Sequence, residues 1–196
     1  MGIVAILHSN LGMQPWGVLH VGIADITPLS VGQAIQVVGF AVIIFGLLIG
    51  VAPGFGTLAN MYFVGFFTDL IIGWDLIPVQ TEITRQFGLL MFGIVMMGIG
   101  SLFYLKVQLG AGPRDGLMIG LVKKLNKPVV YVRGAIEITA LILGYLIGGP
   151  AGIGTLVAAL TVGYSVQLFF KLGGFDGKSK QMNLVELYRF LKNNKK

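Results

Sequence analysis

The chain has 196 residues, 55% of them hydrophobic and 11% charged, and its mean hydropathy is +0.85. Soluble domains carry about 25% charged residues, so this chain cannot cover a water-facing surface and reads as an integral membrane protein. It has no cysteine, which excludes disulfides, thiolate catalysis and zinc–cysteine sites; its net charge of +6 lies beside apolar runs, as a topology signal does, and does not suggest nucleic acid.

The apolar opening, residues 1–10, is too short to cross about 30 Å of hydrocarbon, and it lacks the basic region and cleavage site of a signal peptide. Either Met1 is a mis-assigned start or the first helix is a stub. Residues 13–28, with Pro15, Gly17, His20 and Gly22, read as a turn followed by a short helix. Residues 31–51 form a helix that is apolar except for Gln33 and Gln36, and a glycine-rich break follows at 51–55. A span from Gly56 to Gly73 contains Thr57 and Asp69. Trp74 and the polar stretch to Gln86 make an interfacial connection. The plan then repeats: a helix over 87–107, a short amphipathic segment over 113–126, and helices over 129–148 and 154–172, with Pro128 suited to a helix start. Beyond Gly173 the chain is soluble in character. Residues 183–191 could form an amphipathic helix on the membrane surface, made basic by Lys178, Lys180, Arg189, Lys192, Lys195 and Lys196.

The two halves are copies. Leu11-Gly12-Met13-Gln14-Pro15 returns as Leu109-Gly110-Ala111-Gly112-Pro113, 98 residues on, and the same offset links Gly46 and Gly50 to Gly144 and Gly148, and Gly54, Gly56 and Thr57 to Gly152, Gly154 and Thr155. A chance alignment would not keep its glycines in register so long. The segment joining the first two helices of the second copy carries Lys106, Arg114, Lys123, Lys124 and Lys127, whereas residues 8–29 carry no Lys or Arg. The positive-inside rule puts the second copy's segment inside and the first copy's outside, which an odd number of spans per copy requires. The expected fold is therefore all-α and integral to the membrane: an inverted tandem repeat of three-helix units with five to six spans. Its parts are a first membrane repeat (1–73, first helix shortened), a connection (74–86), a second membrane repeat (87–172) and a basic cytoplasmic tail (173–196).

Inverted repeats with broken helices build transporter sites at the repeat interface. The Leu-Gly-x-x-Pro segments, with Pro15, Trp16 and His20 in one copy and Pro113, Arg114 and Asp115 in the other, either hold a solute on unpaired backbone groups or make tight interfacial turns. Thr57 and Thr155 sit at amide-rich helix starts that suit an anion or ordinary capping. The spacing of Gly46/Gly50 and of Gly144/Gly148 suggests close helix packing. Asp69, Arg133 and Glu137 are ionisable residues within spans, each by default a functional-site hypothesis. Arg133 and Glu137 are four apart and able to pair, while Glu137 alone could bind a cation or carry a proton. Asp69 has Gln167 as its repeat mate, polar in both copies. No metal cluster, nucleophile triad or phosphate loop is apparent in the sequence, so neither cofactor nor enzyme activity is expected.

The signature Asn10-Leu-Gly-Met-Gln-Pro-Trp-Gly-Val-Leu-His-Val-Gly22, followed by Gly56-Thr57-Leu58 and Phe66-Phe67-Thr68-Asp69, resembles the bacterial YczE-type membrane proteins, grouped with YyaS and YitT. Those usually read Pro-Trp-Asp, where this chain has Gly17; the second copy keeps Asp115. The resemblance implies a multi-pass protein of the bacterial inner membrane. The leading expectation is a small-solute permease or exporter, possible as a homodimer, with Asp69, Glu137, Arg133, Gln36, Gln167, Thr57, Thr155 and the two Leu-Gly-x-x-Pro segments along the path. The rival is a non-transporting accessory or scaffold protein.

Overall fold

The computed structural model describes residues 1–175 and 179–193; Lys178, Lys195 and Lys196 lie outside the described residues. Among those described there are nine helices and no strand: α1 (Gly2–His8), α2 (Pro15–Ile26), α3 (Val31–Leu48), α4 (Phe55–Gly73), α5 (Ile83–Lys106), α6 (Pro113–Leu125), α7 (Val129–Leu146), α8 (Ile153–Leu172) and α9 (Leu184–Asn193). Five of them, α3, α4, α5, α7 and α8, are long and apolar enough to cross a membrane. At 12 and 13 residues, α2 and α6 reach only about 18–20 Å, well short of the hydrocarbon thickness. The sequence placed the start of α5 four residues late, because its first turn is polar (Ile83-Thr84-Arg85-Gln86).

Local chemistry sets the ends. Pro15 and Pro113 open α2 and α6, where the missing N–H costs nothing. Ser30 caps α3 in a capping box with Gln33. Gly50 and Gly148 have φ of +88° and +91°. After them, the N–H of Val51 donates to Gly46 O and that of Gly149 to Gly144 O, both at 2.8 Å. This is a Schellman closure of α3 and α7. The packing role read for these two glycines is therefore corrected: they end helices, and a Cβ on either would meet nothing within 4 Å.

The halves trade partners. Gly154 N–H donates to Leu11 O and Gly56 N–H to Leu109 O, each at 2.7 Å. Gly12 (φ +106°) abuts Gly152 and Thr155, as Gly110 (φ +123°) abuts Gly54 and Thr57. The direction of the elements follows from contacts along α5. The α8 helix runs beside it in the same sense, Ser165 Oγ donating to Ile94 O and Lys106 Nζ, at the far end, to Gly173 O. Its copy α4 begins at the C-terminal end of α5, against Leu109, and finishes with Ile71 packed on Val4 and Ala5 of α1. Thus α4 and α8 run in opposite directions. A core of Ile6, Met13, Val18, Val21, Leu90 and Ile94 joins α1, α2 and α5, while α3, α4 and α7 expose Phe40, Phe45, Tyr62, Phe66 and Ile142, as lipid-facing helices do.

Candidate functional site

The site grows from the head of α6. Non-helical residues 108–112 run along the first turns of α4: Thr57 Oγ1 donates to Ala111 O at 2.5 Å. A Cβ on Gly112 would lie 3.3 Å from Asn60 Oδ1, 3.4 Å from the Tyr104 hydroxyl and 3.6 Å from Asp115 Oδ2. Glycine at 112 thus lets the backbone pass among three polar groups. Pro113 then starts α6 beside Gly39, the ninth of eighteen residues in α3. The head of α6 is therefore level with the middle of a spanning helix.

Arg114 and Asp115 follow. The Tyr104 hydroxyl of α5 donates to Asp115 Oδ2 at 2.5 Å, and Asp115 lies in the first turn of α6, where the helix dipole favours a carboxylate. Arg114 Nε stands 3.9 Å from Asp115 Oδ1, and its Nη1 stands 3.5 Å from Glu137 Oε1, halfway along α7. His20 of α2 lies within electrostatic reach of Arg114. The Trp16 ring is 6.3 Å from that of His20, and its buried Nε1 has no hydrogen-bond partner among the described residues. Groups from α2, α4, α5, α6 and α7 therefore meet where one guanidinium serves two carboxylates. The chemistry available is charge pairing and hydrogen bonding through Tyr104 and Asn60.

The pairing that their spacing allows between Arg133 and Glu137 is not formed: among the described residues Glu137 pairs with Arg114 alone. Arg133 lines the same cleft as Arg114, Asp115 and Glu137, but it is exposed and forms no ion pair with a described residue. Asp69 lies away from the cluster at the head of α3, where Ser30 Oγ donates to Oδ2 at 2.5 Å and Gly32 N–H to Oδ1 at 2.7 Å. Gln36 Nε2 donates to Tyr62 O at 2.9 Å, tying α3 to α4. Thr57 and Thr155 each accept the N–H of the glycine three residues earlier, at 3.0 Å, so they cap α4 and α8. Gln167, the mate of Asp69, is exposed. Sequence reasoning missed Tyr104 and Asn60. The signal for Tyr104 was a phenol inside an apolar span, which needs a partner for its O–H.

Five apolar helices, two short helices and a charged cluster at half height define a multi-pass helical membrane protein. The chain belongs to the family described as a family of unknown function (DUF6198), whose profile matches residues 1–171. It is 35% identical over 167 residues to an uncharacterized protein of Haemophilus influenzae, covering 85% of this chain and 76% of that protein. It is 34% identical over 154 residues to the uncharacterized membrane protein YczE of Bacillus subtilis (78% of this chain, 71% of YczE). It is 26% identical over 178 residues to the uncharacterized protein YyaS of the same species (88% and 87%). The YczE-type resemblance is borne out. No solved structure matches the chain.

Proposed function

We propose that the protein is a small-solute permease or exporter of the bacterial inner membrane, and not an enzyme, built as an inverted repeat with its C-terminal arm in the cytoplasm. The observation that carries this reading is the pairing of Arg114 with Glu137 at mid-height, at the head of a helix too short to span. Charged groups in the hydrocarbon are costly and mark pathways, and short interrupted helices meeting at half depth are how inverted-repeat transporters frame a solute. Asp115 is engaged by both Tyr104 and Arg114. Glu137 has a single partner among the described residues, Arg114 at 3.5 Å, which leaves it the group able to take a proton or a cation.

The opposed directions of α4 and α8 support the inversion. Lys106, Lys171, Lys123 and Lys124 in the last turn of α6, and Lys127 just before α7 lie at one end of the bundle, whereas Asp25, Asp75 and Glu82 lie at the other. The positive-inside rule makes the lysine end cytoplasmic.

The test is a thermal melt of the purified protein against a panel of metabolites and ions, followed by flux in vesicles for any compound that binds. A ligand at a hundredfold excess over its Kd stabilises by about 2.7 kcal/mol. The reading expects a shift that Glu137→Gln abolishes while the protein stays folded. A ligand whose binding and flux ignore Glu137→Gln would sink the site assignment. Silence across the panel favours the accessory-protein reading.

A further inference from the structure

The two copies differ at one groove. On the α2 side, a Cβ on Gly144 would lie 2.4 Å from Leu19 N and one on Gly149 2.0 Å from Val18 O, so α2 and α7 touch backbone to backbone. On the α6 side, Val51 stands where the other copy has Gly149. A Cβ on Gly120 would meet Val51 Cγ2 at 2.1 Å, and Gly46, the mate of Gly144, has nothing closer than 3.8 Å. The Val51 side chain holds α6 off α3. A largely apolar cavity results, lined by Ile43, Gly46, Val51, Ala111, Pro113 and Leu117.

Residues 181–184 lie across its mouth. Met182 N–H donates to Gln108 O at 2.9 Å and Leu184 N–H to Pro53 O at 3.0 Å. The Gln181 side chain accepts from Gly110 N–H at 3.3 Å and donates to Leu105 O at 3.2 Å. The strap leads directly into α9, which opens with a reciprocal capping box: Glu186 N–H to Asn183 Oδ1 at 2.9 Å and Asn183 N–H to Glu186 Oε2 at 3.2 Å. Leu184, Tyr188 and Leu191 fall on one face of α9 and are exposed, while Lys192 borders that face and Arg189 lies on the opposite, polar side. This helix emerges at the end of the bundle that carries Lys106, Lys123, Lys124, Lys127 and Lys171. An exposed apolar face bordered by Lys192, on a positively charged end, is complementary to a leaflet of anionic lipid.

We infer that α9 docks on anionic lipid and thereby holds residues 181–184 across the α3–α6 cavity, which opens when α9 leaves the lipid. The inference rests on the lysine-rich end lying at a membrane surface, and its readouts do not involve flux, so it can fail independently of the permease reading.

The absence of native cysteine makes a clean test possible in the full chain. Tyr188→Cys, labelled with an environment-sensitive fluorophore, reports on α9; Ala111→Cys, challenged with a water-soluble maleimide, reports on the cavity. Both are placed in nanodiscs of phosphatidylcholine alone or mixed with phosphatidylglycerol. Anionic discs should shift the emission to the blue and slow the reaction at position 111 by about tenfold. Both effects should shrink in high salt and in the double variant Arg189→Gln/Lys192→Gln, whose melting point checks that it folds. Equal emission in the two lipids overturns lipid docking. A blue shift with unchanged reactivity at 111 overturns the strap. A shift that appears only on adding soluble cell protein assigns α9 to a protein partner and likewise overturns the proposal.

Discussion

Glu137 of α7 reaches across to Arg114 of α6, Oε1 to Nη1 3.5 Å, although Arg133 stands one turn away on its own helix. Arg114 is shared with Asp115, so its two carboxylates depend on it unequally. Arg114→Gln strands Glu137 and leaves Asp115 only the Tyr104 hydroxyl, whereas Glu137→Gln leaves Arg114 its contact with Asp115. Breaking a fully buried pair costs about 3–5 kcal/mol. With side chains 33% and 23% exposed, solvent screening reduces this, and about 1–2 kcal/mol is expected for Arg114→Gln. Thermal melts in detergent should rank wild type above Glu137→Gln and Glu137→Gln above Arg114→Gln. The reverse order would show that Arg114 is not the hub.

Asp69 serves the head of α3 through Ser30 and Gly32. Asp69→Ala removes a carboxylate cap and should cost about 1–2 kcal/mol of stability. Because Asp69 lies away from the charged cluster, any ligand found by the melt should keep its Kd in this variant. A lost ligand with unchanged stability would return Asp69 to the solute path.

The repeat mates Gly144 and Gly46 provide a matched pair. Alanine at 144 would place its Cβ 2.4 Å from the Leu19 backbone nitrogen, whereas alanine at 46 has 3.8 Å of clearance. Overpacking costs about 1–3 kcal/mol, so Gly144→Ala should melt well below Gly46→Ala, which should match wild type. Equal melting points would contradict the asymmetry of the two grooves.

Glu186 is held below the ordinary carboxylate range by Lys180, whose Nζ lies 2.5 Å from Oε1, and by the Asn183 N–H. A pKa depressed in the folded state gives stability that is present above the unfolded value of 4.5 and is lost as pH falls through the folded value. Hydrogen exchange in α9 should therefore accelerate as pH is lowered below that range, beyond the intrinsic pH effect, and Glu186→Gln should remove the dependence.

The plan of the helices was legible in the sequence because its signals are local. Pro15 and Pro113 open short helices, the apolar runs mark the spans, and the 98-residue offset carries the starts of α2, α3 and α4 onto those of α6, α7 and α8. The partner of Glu137 was not legible, because helical spacing names only neighbours on the same helix, and Arg114 reaches it through tertiary packing. Tyr104 and Asn60 were hidden for the same reason. Asp69 looked like a pathway residue because a carboxylate within a span has few innocent uses. One such use is capping another helix, and that requires knowing which helix starts nearby. Gly50 and Gly148 matched a packing motif by spacing alone, whereas their positive φ follows from where α3 and α7 stop.

Leu11 completes the start of α8 and Leu109 completes the start of α4, each by one carbonyl. Neither half carries its own finishing group for that turn. In the inverted arrangement proposed above, a gene for a single half would yield a chain whose copies had to insert both ways up to complete one another, and it would have to stay nearly neutral in charge bias to do so. Fusion removes that constraint. With both proposed orientations in one polypeptide, one half is free to accumulate lysines and the other to lose them, and the difference between Val51 and Gly149 can appear without breaking the assembly.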